Sequence, residues 1–146
     1  MGHLVKESLD TVRQQMELAC QASGRKIEDV KLLLATKTVQ LEKLQMAIQA
    51  GETLFGENKA QELRDKFPLM QQYKQVEWHF IGHLQTNKVK DVVKYVTLIH
   101  SVDRLKLGQA CSISSSKRTR PWIFWCKSIR PMKKVNLELR RKRHWS

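Results

Sequence analysis

The sequence predicts an α/β protein, an incomplete (β/α)8 barrel of the TIM type carrying about its first four βα units. Short apolar runs alternate with stretches of helical periodicity, and the runs begin near residues 31, 53, 76 and 96, about 20 to 23 residues apart. No glycine-rich phosphate loop follows the first run, where TKTVQ stands instead. Near-continuous apolar strands alternating with helices argue for a parallel sheet. The missing loop disfavours a doubly wound dinucleotide-binding sheet and leaves the barrel ahead. A barrel needs about 250 residues, or at least roughly 200. A chain of 146 residues therefore has room for about half of one. Half a parallel barrel leaves unpaired edges and an uncovered face, so aggregation or loose folding is expected.

Each element has a local reason. Leu4 or Val5, Leu9, Val12, Met16 and Ala19 or Cys20 fall at steps of three and four, the stripe of an amphipathic helix that Gly24 can stop. KLLLAT then reads as a strand and VQLEKLQMAIQAG as a helix closed by Gly51. TLFGE and NKAQELRDKF form the second such pair, with Pro68 after the helix. VEWHFIG and QTNKVKDVVKYV form the third, and VTLIHSV followed by DRLKLGQAC begins the fourth.

Composition narrows the class. The longest apolar runs are about five residues, far short of the roughly 20 that span a bilayer, so no membrane association is expected. Cys20, Cys111 and Cys126 include no CxxC pair, and their odd number argues against a disulfide framework. A cytoplasmic location follows. The net charge of +13 invites a nucleic-acid reading, but residues 1–111 carry only +3, from 16 basic and 13 acidic side chains. Residues 112–146 carry 11 basic side chains and only Glu138 against them. The basicity belongs to the tail.

Barrel chemistry gathers at the C-terminal ends of the strands, and LLLATKTV places Lys37 there. A rim lysine can snorkel to water, or, with its stem in an apolar wall, serve as a nucleophilic amine. The neighbouring motifs decide. LLLATKTV, LFGENKAQEL, WHFIGHLQTNKVK and LIHSVDRLKL, in that order, closely resemble the pyridoxal phosphate homeostasis protein family. The resemblance runs from about residue 4 to residue 111. It implies a (β/α)8 barrel, similar to the barrel domain of bacterial alanine racemase without its second domain. It also implies that pyridoxal 5'-phosphate (PLP) is held as a Schiff base on Lys37, in a carrier of vitamin B6 homeostasis rather than an enzyme. PLP-dependent apoenzymes are the partners such a carrier implies. A racemase-like enzyme is the alternative, and it would need an opposing acid/base residue.

Other candidates are weighed against plainer roles. Asn58, after the second strand in FGEN, could touch the cofactor, or it could cap a helix with Gln61 in a capping box. His79 and His83 would lie roughly 13 Å apart along a strand, too far to share a metal. His83 and Ser101 point towards the rim with weaker claims. Lys59, Lys88, Lys90 and Lys94 read as a solvated face.

The tail, residues 112–146, is expected to be out of frame or disordered. New codons built from the last base of each codon and the first two of the next let WIFWCK read D-I-L-V-Q, with the isoleucine permitted and the glutamine holding unless its codon is a stop. That string resembles the family's fifth strand, whereas the frame as it stands is expected to supply none. The frame change falls around residues 110–117. The tail's Arg, Lys and Trp would suit nucleic acid, but an unselected frame accounts for them without a specific nucleic-acid partner.

Overall fold

The computed structural model describes residues 2–115 and 123–126. A long first helix, α1 (Gly2–Ser23), precedes β1 (Leu34–Ala35), α2 (Leu41–Gln49), β2 (Leu54–Glu57), α3 (Ala60–Leu69) and β3 (Glu77–Phe80). A 3-10 turn (Thr86–Lys88) then leads into a short α4 (Val89–Val92), followed by β4 (Leu98–Val102), α5 (Leu105–Ser115) and β5 (Ile123–Cys126). The strands form one parallel sheet in the order β1-β2-β3-β4-β5. Each crossover moves one place in the same direction. A doubly wound sheet would reverse its order at a switch point, so sequential winding is the mark of a partial barrel.

Both predicted helix stops hold, and by the same device. Gly51 sits at φ 94°, its N–H bonding Ile48 O at 2.9 Å while Glu52 N–H reaches Ala47 O at 3.0 Å. Gly24, at φ 68°, does likewise through Cys20 and Gln21. These are Schellman endings, which need a left-handed residue just past the helix. The first helix buries Leu9 and Cys20 and half-buries Val5 and Met16, whereas Val12 is exposed.

The register explains what each strand face does. Leu34 pairs with Phe55 and Phe55 with Trp78, and the last two rings lie 5.6 Å apart. With Phe80 and Ile99 they cluster with Leu44, Ile48, Leu63, Val92 and Leu107 of the helices. The alternate row runs Ala35, Gly56, His79 and Leu98 and belongs to the other face, which would line a closed barrel. There Gly56 is crowded: a Cβ would come within 2.5 Å of Leu33 and 3.0 Å of Ile81.

Three expectations are corrected. The third helix of the pattern, read over residues 85–96, is a 3-10 turn and four α-helical residues. Val89, Val92, Val93 and Val96 are all buried as the period requires, but β-branched residues favour helix weakly. Pro68 lies inside the last turn of α3 rather than after it, where the ring removes only one backbone bond. Beyond residue 111 the structure does not lapse at once. α5 continues to Ser115, and Ile123–Cys126 adds a fifth strand, pairing Ile99 with Phe124. Ile-Phe-Trp-Cys has the β-branched and aromatic character that strands favour. The rest of the tail lies outside the described residues.

Candidate functional site

The C-terminal ends of β1 and β2 meet at a buried polar cluster, and Lys37 stands directly above it in the chain. Thr36 and Glu57 are 1% and 0% exposed. Thr36 N–H donates to Gly56 O at 2.9 Å, continuing the β1–β2 ladder. The Thr36 hydroxyl lies 2.9 Å from Glu57 Oε2 and 3.1 Å from Gly56 O, and its one proton serves one of them at a time. From α3, Lys66 reaches in: its Nζ donates to Thr36 O at 2.6 Å, Glu57 Oε2 at 3.0 Å and Glu62 Oε2 at 3.2 Å. Glu62 and Lys66 are four apart and so share a helix face. Glu62 Oε2 also accepts the Thr38 N–H at 3.0 Å. That amide, with Lys66 and Lys59 nearby, holds the Glu62 carboxyl below its ordinary pKa.

Lys37 itself is exposed. Its backbone is constrained. Thr38 has φ 59°, a left-handed conformation in which a β-branched residue is an outlier, and Val39 N–H closes the turn on Thr36 O at 3.0 Å. Lys37 lies two residues past β1, in the turn, while Thr36 before it is buried against Glu57 and Lys66.

Asn58 follows β2 and is half-buried. It does not cap α3: the N-cap is Lys59, one residue later, with no side-chain cap bond, so the box with Gln61 is not formed. Gly82 packs so closely on the Asn58 carbonyl that a Cβ there would collide with it. The loops after β2 and β3 are thus pressed together at the rim.

His79 has a partner other than His83. Its Nδ1 lies 3.0 Å from His100 Nε2 on β4. Burial first, then His100 and Lys31, pushes its pKa down to about 4; burial also lowers that of His100. His83 is exposed, 3.8 Å from Asp103. Among the described residues no group of three or more His, Cys, Asp or Glu is placed to hold a metal. Ser101 Oγ and Glu57 Oε1 are buried without a hydrogen-bond partner. Lys59, Lys88, Lys90 and Lys94 are exposed, as expected of a solvated face. A cavity of about 440 Å³ opens at the opposite end of the sheet, lined by Arg13, Met16, Lys31, Glu52, Thr53 and Glu77. That end of a barrel serves stability, and there Arg13 closes on Glu52 at 2.6 Å.

The Glu57–Lys66–Glu62 cluster and the His79–His100 pair are not foreseen from the sequence. A carboxylate inside the apolar run TLFGE, with an i,i+4 Glu–Lys pair on the next helix, is the signal that could have found the first. As a donor set, a lysine amine at the rim with a half-buried amide after the next strand suits an aldehyde-bearing ligand. No helix among the described residues is long and apolar enough to cross a membrane.

Known proteins resemble this chain in sequence and in fold. No protein-family model matches the chain. A pyridoxal phosphate homeostasis protein of Aquifex aeolicus is 43% identical over 102 residues, covering 70% of this chain and 44% of that protein. Its namesake in Escherichia coli K12 is 37% identical over 106 residues, covering 71% and 45%. PipY of Synechococcus elongatus PCC7942, solved with PLP bound, superposes with TM-score 0.67 at 26% identity, over 80% of this chain and 55% of PipY. A Bifidobacterium adolescentis protein shares the fold at TM-score 0.72 and 24% identity, over 84% and 60% of the two chains. The chain thus spans about half the length of the curated relatives it matches. Over about 70% of its length the chain is similar in sequence to proteins named pyridoxal phosphate homeostasis proteins.

Proposed function

We propose that this chain is part of a PLP-binding protein of vitamin B6 homeostasis, and that Lys37 is the residue through which PLP is held. The observation that carries this reading is the position of Lys37: an exposed residue just past the end of β1, between two hydrogen-bonded peptides. The names of the relatives and the PLP bound to PipY support it. PLP, when bound, supplies an aldehyde that an amine can capture. Lys37 offers the amine, and the Asn58 amide is the polar group proposed to meet the ligand beside it. The His79–His100 pair sits on the barrel-lining face of the sheet. We place the protein in the cytoplasm as a carrier, with PLP-dependent apoenzymes as its recipients, rather than as a racemase.

Capturing the aldehyde is not the same as retaining the cofactor. The bond to an amine is reversible in water, and a phosphate dianion needs concentrated N–H donors, which barrels commonly build after strands seven and eight. The 146-residue chain therefore holds PLP weakly. We further propose that residues 112–146 are read out of frame, with Ile123–Cys126 taking the place of a fifth strand. An inserted or deleted base near codon 112 of the encoding DNA is the expected finding.

The test is a PLP titration of the purified chain, followed by absorbance and circular dichroism. A weak, saturable signal that is lost in Lys37→Ala is expected. Tight binding by the chain would show that the remaining barrel is dispensable. A signal unchanged in Lys37→Ala would remove Lys37 from the role.

A further inference from the structure

Both peptide groups that flank Lys37 are held by α3. On one side the Thr36 carbonyl accepts from Lys66 Nζ at 2.6 Å; on the other the Thr38 N–H donates to Glu62 Oε2 at 3.0 Å. The Lys66 ammonium has three N–H bonds and finds three acceptors, Thr36 O, Glu57 Oε2 and Glu62 Oε2. Glu57 is fully buried, and the Lys66 side chain is 14% exposed. Such a cluster is a poor investment in stability alone, because a well-packed apolar trio of similar volume often does as well or better. An apolar trio, however, could neither accept a backbone N–H nor donate to a backbone carbonyl. Those bonds are what Thr38 needs: a non-glycine residue in the left-handed region sits above its relaxed state. Without them the turn would be free to relax and carry Lys37 with it.

We propose that Glu57, Glu62 and Lys66 are positioning residues for Lys37. They clamp the peptides before and after it, and so fix the direction in which its side chain leaves the rim. The inference rests on the reading of Lys37 as the PLP-linked residue. In the step it serves, the unprotonated Lys37 Nζ adds to the aldehyde carbon, the carbonyl oxygen leaves as water, and a C=N bond replaces C=O. The clamp takes no part in making bonds: Glu62 and Lys66 hold the backbone, and Glu57 holds Lys66 and the Thr36 hydroxyl. The lowered Glu62 pKa means that the carboxylate stays charged at neutral pH. Its contribution is complete above the ordinary pKa of about 4.5 and is lost as pH falls through the lowered value.

The experiment compares the full chain with Glu62→Ala and Glu62→Gln by two readouts. One is the rate of pyridoxyl labelling of Lys37 by PLP and cyanoborohydride, relative to exposed Lys90. The other is hydrogen exchange at the Thr38 amide. Glu62→Ala should speed Thr38 exchange and slow Lys37 labelling relative to Lys90, each by about tenfold, the scale of a small misplacement of a reacting group. Glu62→Gln keeps an oxygen for the Thr38 N–H and should retain most of both. Lys66→Met should lower the labelling ratio in the same direction; if it fails to fold, the Glu62 pair decides. A labelling ratio within twofold of the parent in Glu62→Ala, or an unchanged Thr38 amide, overturns the clamp. A parent chain that labels Lys37 no faster than Lys90 overturns the Lys37 assignment and this role with it. The second failure shows in the parent, the first only in the variants.

Discussion

Behind the sheet, Phe55, Trp78, Phe80 and Ile99 meet Leu44, Leu63, Val92 and Leu107, and none of the eight is more than 2% exposed. In front of it Ala35 is exposed, while Leu33, Ile81 and Leu98 are only half-buried. The same strands build both faces, since alternate residues point to opposite sides. The rear face carries the free energy of folding; the front face carries the groups a ligand could meet. They are joined at residues 36–38, where Thr36 is drawn into the rear layer and Lys37 stays exposed. A side chain can stay exposed and still be well placed, because its neighbours in sequence are anchored in the layer behind.

The largest expected contrast is between the faces themselves. Phe55→Ala should destabilise by about 4 kcal/mol, the usual result of emptying a buried aromatic site. Ala35→Ser, one row away in the register, should stay within about 0.5 kcal/mol. Denaturant unfolding of both variants checks the contrast, and similar losses would mean that the front face is as tightly packed as the rear.

The polar cluster should behave as part of the rear layer. Lys66→Met leaves the Glu57 charge buried without its cation and should cost about 3 kcal/mol. Pairing it with Glu57→Leu should restore much of that loss, because the uncompensated charge is gone. A double variant no better than the single would mean that the loss comes from packing instead.

Smaller still is the effect of the His79–His100 pair on the front face. Both rings have pKa values lowered by burial, His79 to about 4. They are neutral in the folded protein at pH 7, whereas the unfolded chain takes up protons at its ordinary value near 6.5. Stability should therefore be level above about pH 6.5 and fall between there and about pH 4, by on the order of 2 kcal/mol. Unfolding measured across that range in the parent and in His79→Asn/His100→Asn checks it. The double variant should have the flatter profile, and equal slopes would assign the loss to other groups.

The architecture was legible in the sequence to a useful degree, for a physical reason. Apolar period and glycine punctuation are local properties, so strand order, the Gly24 and Gly51 stops and the placement of Lys37 at the end of β1 could be read directly. What could not be read depends on distant partners. Lys66 looks like any helix lysine until the fold brings it to Thr36, 30 residues away. His79 invited comparison with His83, four residues on, while its partner His100 waited on the next strand. Thr38 gives no warning of a positive φ, since threonine does not favour one. The valines of α4 are buried as their period demands, yet the backbone that buries them is mostly not α-helix. For β5 the signal is local: IFWC has the β-branched and aromatic composition of a strand.

The most direct test of the central claim is to find where PLP attaches. The chain is incubated with PLP, reduced with borohydride and mapped by peptide mass, beside Lys37→Ala treated in the same way. The account predicts that Lys37 carries the pyridoxyl group ahead of the other exposed lysines, and that Lys37→Ala leaves only a low, even background. Label concentrated on another lysine, or spread over Lys37, Lys59, Lys88, Lys90 and Lys94 without preference, would contradict it.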